Sequence, residues 1–96
     1  MDVRELLESR REEILRIAAD HGARNVRVFG SAARGETDEE SDIDFLVEFE
    51  PGTSLFRHAA LIVALQDLLG RNVDVAPEKA LKERIRERVI REALPI

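Results

Sequence analysis

The segment Asp42-Ile43-Asp44-Phe45-Leu46-Val47-Glu48-Phe49 restricts this chain more than any other stretch. Polar and apolar residues alternate along it, and successive side chains of a strand point to opposite faces. Ile43, Phe45, Val47 and Phe49 therefore line one face, and Asp42, Asp44, Leu46 and Glu48 line the other. A strand of this kind asks for an apolar layer on one side, which predicts a sheet with helices mainly on one face. Pro51-Gly52 ends the run.

The flanking sequence supplies those layers. Asp2 followed by Glu5 reads as a capping box. Val3, Leu6, Leu7, Ile14, Ile17 and Ala18 then recur at helical spacing as far as His21-Gly22, predicting one amphipathic helix over residues 2–21. Asn25-Val26-Arg27-Val28-Phe29, ending at Gly30, predicts a strand. Ser31 to Arg34 has room for one or two helical turns before Gly35. Thr53 or Ser54 caps a helix over residues 55–69, closed by Gly70. Apolar residues occupy most of its circumference, so it is expected either to be buried on several sides or to meet another protein in a hetero-oligomer through 55–69. Arg71 to Ala76 predicts a third strand, with Asp74 facing opposite to Val73 and Val75. Pro77 is expected to open a last helix with Leu81, Ile85, Val89 and Ala93 on one side and Lys/Arg–Glu pairs on the others. The expected product is one α/β domain over residues 1–96, on a small sheet of at least three strands.

Composition removes several function classes. Acids outnumber bases 20 to 15, a net charge of −5, the wrong sign for a protein that lives on a nucleic-acid backbone. Cysteine is absent and only His21 and His58 offer imidazole, which excludes a disulfide framework, a thiolate nucleophile and a cysteine zinc site. The first residues lack an apolar signal core, and the longest apolar stretch, Ala59 to Leu65, is far below a membrane span. The expectation is a soluble cytoplasmic protein with no membrane partner.

Against that background three features converge: Gly30-Ser31 directly after a strand, Asp42-Ile43-Asp44 on the next, and Asp74 in the middle of the third. Residues two apart on a strand point the same way, with Cα atoms roughly 6.5–7 Å apart. Two carboxylates at that distance repel by about 2.5 kcal/mol at an effective dielectric of 20. A cluster of three asks for a cation, and Mg²⁺ is the oxygen-loving ion that such carboxylates hold together with phosphate oxygens. Two such ions can clamp the attacking and leaving oxygens of an in-line displacement at phosphorus. Asp42 and Asp44 would bridge them, and Asp74 would ligate the ion nearest the nucleophile and take its proton. Gly30 and Ser31 would bring backbone N–H groups and a hydroxyl to a nucleoside triphosphate. Singly, each feature also suits an ordinary solvated strand face or turn; it is the combination that points to chemistry.

Gly30-Ser31-Ala32-Ala33-Arg34-Gly35-Glu36, then Ser41-Asp42-Ile43-Asp44-Phe45-Leu46-Val47, then Val73-Asp74-Val75, resembles the minimal nucleotidyltransferases of the DNA-polymerase-β-like superfamily. The likeness extends to Ser54-Leu55-Phe56 and to the run from Ile85 to Ala93. It implies a mixed-sheet palm, two Mg²⁺ ions, and transfer of a nucleoside monophosphate with release of pyrophosphate. Small members are commonly paired with a HEPN-domain toxin, to which they act as antitoxin by moving AMP from ATP onto a tyrosine. The resemblance therefore implies ATP as substrate and a HEPN-domain protein as partner.

Other residues are read more plainly. Arg34, one turn after Ser31, could reach phosphate oxygens, and a surface arginine on a short helix fits equally well. The run Glu36, Asp38, Glu39, Glu40 suits a solvated loop, or a rim that selects a basic partner surface. His58 suits a surface or interface position rather than a ligand. Two other functions compete with adenylyl transfer to a protein. One is a non-catalytic antitoxin that keeps the palm but neutralises by occlusion. The other is transfer to a nucleic-acid end or small molecule, which ranks last for want of an added domain. A template-directed polymerase is excluded, since no residues remain for fingers or thumb.

Overall fold

The computed structural model describes residues 2–36 and 41–96. Thr37 to Glu40 lie outside them, and with them Asp38, Glu39 and Glu40 of the acidic run. The elements are helices α1 (Val3–Ser9) and α2 (Arg11–Asp20), strand β1 (Ala23–Phe29), helix α3 (Ser31–Arg34), strand β2 (Ile43–Phe49), helix α4 (Leu55–Leu69) and strand β3 (Val73–Pro77). A 3₁₀ turn (Glu78–Ala80), helix α5 (Glu83–Glu92) and a two-residue strand β4 (Leu94–Pro95) follow.

The sheet runs β3-β2-β1-β4. β1 is antiparallel to β2 and to β4, whereas β2 and β3 are parallel, joined by the α4 crossover. The sheet is therefore mixed. Ile43, Phe45 and Val47 of β2 are essentially inaccessible to solvent, as the alternation requires. They pack with Val26 and Val28 of β1 and Val73 and Val75 of β3 beneath Val3, Leu7, Ile14, Ala18, Leu61, Leu65 and Leu69 of the helix layer. Ser54 is the α4 cap, accepting from the Arg57 backbone N–H through its hydroxyl.

Three sequence expectations need correction. The single helix over residues 2–21 is two helices that meet at Arg10, whose φ of −113° and ψ of 12° leave the helical region. Ser9 Oγ donates to the Leu6 carbonyl there, a local bond that competes with helix continuation. Pro77 does not open the last helix. It ends β3, the 3₁₀ turn follows, and α5 starts only at Glu83. Arg86 donates to the Lys79 and Leu81 carbonyls that this break leaves without helical partners. Within α5, the one ion pair among the described residues is Glu87–Arg91 at 3.9 Å, so the expected ladder of pairs is largely absent. A fourth strand pairs Leu94 and Pro95 with Val28 and Arg27, within the expectation of at least three.

The second sheet face is not uniformly open. Strand alternation places Leu46 on this face with the acids, yet it is fully buried. Arg27, its register partner on β1, is 7% exposed and ion-paired with Glu78 of the 3₁₀ turn at 3.1 Å. The bulge that offsets β1 lies between Arg24 and Arg27, at Asn25, whose φ of +52° asparagine tolerates better than most residues. The 3₁₀ turn thus packs on the Leu46 end of this face and leaves the Asp42–Asp44 end open. The Arg27 guanidinium holds the Glu78 carboxyl below the usual glutamate range. A depressed carboxylate adds stability above its unfolded value, and that stability is lost as pH falls through the lowered folded value. Arg27→Met is expected to cost about 2–3 kcal/mol at neutral pH, because it strands a mostly buried carboxylate. The loss should shrink as acid protonates Glu78, an outcome that thermal melts across pH 3 to 7 would check.

Candidate active site

Asp44 stands at the centre of the sheet. Its register partners are Phe29 on antiparallel β1 and Asp74 on parallel β3. The Cα atoms of such neighbours lie roughly 4.8 Å apart, so Asp44 and Asp74 face the same way side by side. Asp42 lies just before the first residue of β2 and stands near enough for its charge to act on the Asp44 carboxyl. The start of β2 is fixed by the Ile43 N–H donating to the Asn72 carbonyl at 2.9 Å and by Arg71 donating to the Ser41 carbonyl at 2.9 Å. Arg71 thereby positions the backbone next to Asp42. Nothing in its sequence setting, between Gly70 and a strand, gave a signal for that role.

The electrostatics of the central acid reflect its neighbours. Burial, then the carboxylate of Asp74, then that of Asp42, push the Asp44 carboxyl above its ordinary range. Two of the acids of the sequence reading, Asp42 and Asp74, thus act on the third, Asp44. Asp42 and Asp74 are exposed and Asp44 is half-buried, so the cluster opens to solvent. Asp74 Oδ1 accepts from the Val75 N–H at 3.0 Å. In this conformation no three His, Asp or Glu side chains among the described residues stand close enough to hold one metal ion. The donor chemistry nevertheless suits a hard divalent cation, being carboxylate oxygen alone with charge to neutralise.

Gly30 closes the side of the cluster next to β1. Its φ of +66° and ψ of −142° lie in a region that is essentially glycine's alone. A Cβ placed there would come 2.9 Å from Asp44 Oδ2. The loop backbone thus approaches the central carboxylate as closely as a chain can. Ser31 begins α3, which Ala32 anchors in the core. Arg34 is the one predicted residue whose partners lie elsewhere. Among the described residues its guanidinium contacts Glu36 at 3.0 Å and Glu92 at 4.0 Å. His58 is half-buried, donating through Nε2 to the Val75 carbonyl at 2.7 Å with its ring 5.1 Å from that of Phe49. It satisfies the outer edge of β3 and takes no part in the cluster.

A family model described as a nucleotidyltransferase domain matches residues 5–96. The chain belongs to the nucleotidyltransferase family. Within this family it is 44% identical over 73 residues to the protein adenylyltransferase MntA of Thermococcus cleftensis, spanning 76% of this chain and 74% of that protein. A Methanocaldococcus jannaschii relative named in the same adenylyltransferase class is 37% identical over 86 residues, spanning 90% of this nucleotidyltransferase and 92% of the relative. A structure reported as that of a minimal nucleotidyltransferase superposes with a TM-score of 0.90 at 54% identity, covering 100% of this chain and 97% of the other. The crystal structure of a toxin–antitoxin with AMP-PNP shares the fold, with a TM-score of 0.75 at 20% identity over 88% of this chain and 69% of that one. The minimal nucleotidyltransferase palm expected from the motifs is thus the fold found.

Proposed function

We propose that this nucleotidyltransferase moves AMP from ATP onto a hydroxyl of a partner protein, a tyrosine of a HEPN-domain toxin, and so acts as the antitoxin of that pair. The observation that carries the reading is the pairing of Asp44 with Asp74 across β2 and β3, with Asp42 near enough to act on Asp44 and Gly30 against it. The protein adenylyltransferase names of the relatives, and the ATP analogue in a toxin–antitoxin neighbour, support the substrate and the setting.

In the reaction the tyrosyl oxygen attacks the α-phosphorus, a new P–O bond forms, and the bond to the β-phosphate oxygen breaks to release pyrophosphate. The tyrosyl proton passes to Asp74, one of the two exposed carboxylates of the cluster. Asp42, Asp44 and Asp74 would hold two Mg²⁺ ions, which neutralise phosphate charge when bound. Gly30 and Ser31 would lie along the triphosphate, where the missing Cβ allows close approach. Arg34 would join them only by leaving Glu36 and Glu92, so it is assigned to the incoming phosphates rather than to the resting site.

Incubating the purified chain with its HEPN partner, Mg²⁺ and ATP, followed by intact mass, tests the reading. The expected result is a gain of the partner's mass in AMP-sized steps, lost when the acceptor tyrosine is replaced by phenylalanine. A partner that is neutralised with no change in mass would overturn transfer and favour occlusion.

A further inference from the structure

The outer side of α4 carries an apolar stripe that the described chain does not cover. Leu61, Leu65 and Leu69 face the core. At 3.6 residues per turn, Phe56, Ala60, Val63 and Asp67 fall on the opposite side, with Ala59 beside them. Phe56 is 88% exposed, Leu55 84% and Val63 54%. Adjacent large apolar side chains in water mark an interaction site more often than a plain surface.

Position and pattern together say what covers it. α4 packs on one face of the sheet and the carboxylates open on the other. An acceptor protein seated on the stripe would have to wrap around the sheet to reach the same chain's site. The stripe is, moreover, its own complement. With two copies of α4 antiparallel about a two-fold axis between Ala59 and Ala60, Phe56 of each meets Val63 of the other. The alanines face each other at the crossing, where small side chains permit close approach. Asp67 then falls beside the Ser54-capped start of the second helix, where a carboxylate is favoured, with Arg57 on the flank. No like charges meet. The buried area comes to the order of 1,000 Å² over both copies, the size of a weak, reversible interface.

We propose that this chain pairs with a second copy of itself through antiparallel α4 helices, an isologous contact that leaves both carboxylate sites facing outward. Sedimentation velocity of the full chain tests it, and because it reads mass alone its result is separate from the transferase reading. The mass should rise from 10.9 kDa towards twice that value, with half-association in the range of tens of micromolar. Phe56→Asp, and separately Val63→Glu, should stay at the single-chain mass up to roughly 500 µM, with melting temperatures within about 2 °C of the parent when all are read at about 1 µM, where pairing adds no stability. Ala60→Cys, in a chain without cysteine, should form a disulfide-linked dimer on mild oxidation, whereas Arg16→Cys on α2 should not. A chain monomeric throughout that range, a dimer that survives Phe56→Asp, or a stripe that is covered only when a different protein binds would each overturn the pairing.

Discussion

Replacing Asp42 and Asp44 together by asparagine is expected to lower AMP transfer by at least ~10³-fold, because both removed charges are assigned to the metal–phosphate machinery. The same variant should melt higher than the parent at neutral pH. Asp44 has its carboxyl pushed above the unfolded value, so the folded state binds the proton more tightly than the unfolded chain does. Its ionisation therefore costs stability as pH rises through the raised value, and the cost is relieved as pH falls. Half-burial and solvent screening reduce the gain from removing that charge to about 1 kcal/mol. For a domain of this size that is roughly 4–8 °C. Millimolar Mg²⁺ should raise the parent's melting temperature by a few degrees and leave the double variant unmoved. Scanning calorimetry with and without Mg²⁺ reads both effects without any assay of transfer. A double variant that melts lower than the parent, or that still responds to Mg²⁺, would count against the cluster.

Gly30→Ala should do the reverse, damaging fold and chemistry together. The new methyl group would sit 2.9 Å from Asp44 Oδ2, on a backbone with φ of +66° that L side chains rarely adopt. The strain is worth about 1–3 kcal/mol, and relief of the contact requires the central carboxylate to move. A displacement of about 1 Å at a reacting centre typically costs ~10²-fold in rate. Gly52→Ala supplies the control, since Gly52 also has a positive φ, +83°, but open space around its Cβ position. It should share the loss of melting temperature and keep normal transfer. If the two variants lose activity equally, the close approach of Gly30 to Asp44 has no catalytic meaning.

The sequence was most readable where local signals agreed. The bounds of α4 follow from Ser54, Gly70 and the apolar run between them. The grouping of Asp42 with Asp44 follows from strand period alone, and the placement of Asp74 opposite Val73 and Val75 was likewise local. What no local pattern states is that Asp74 meets Asp44 in register, which depends on how the sheet assembles. The rest was hidden for similar reasons. The break at Arg10 turns on one hydroxyl bond from Ser9. The burial of Leu46 and Arg27 comes from a turn more than 30 residues away in sequence. β4 is two residues long, too short for any periodicity. Arg34 follows Ser31 by one turn, the spacing that suggested a phosphate ligand, yet its neighbours in space are carboxylates from its own loop and from α5.

The parallel register of β2 and β3 bears on how this protein comes into being during synthesis. The third acid lies 30 positions after its neighbour Asp44, on the far side of a whole helix. A nascent polypeptide emerging from the ribosome exposes the loop glycine and the first two acids well before Val73–Pro77 leaves the exit tunnel. On the proposed role of Asp74, the half-made palm lacks its proton acceptor until that edge strand docks. The proposed site is therefore completed in one late step, together with the last large piece of the core.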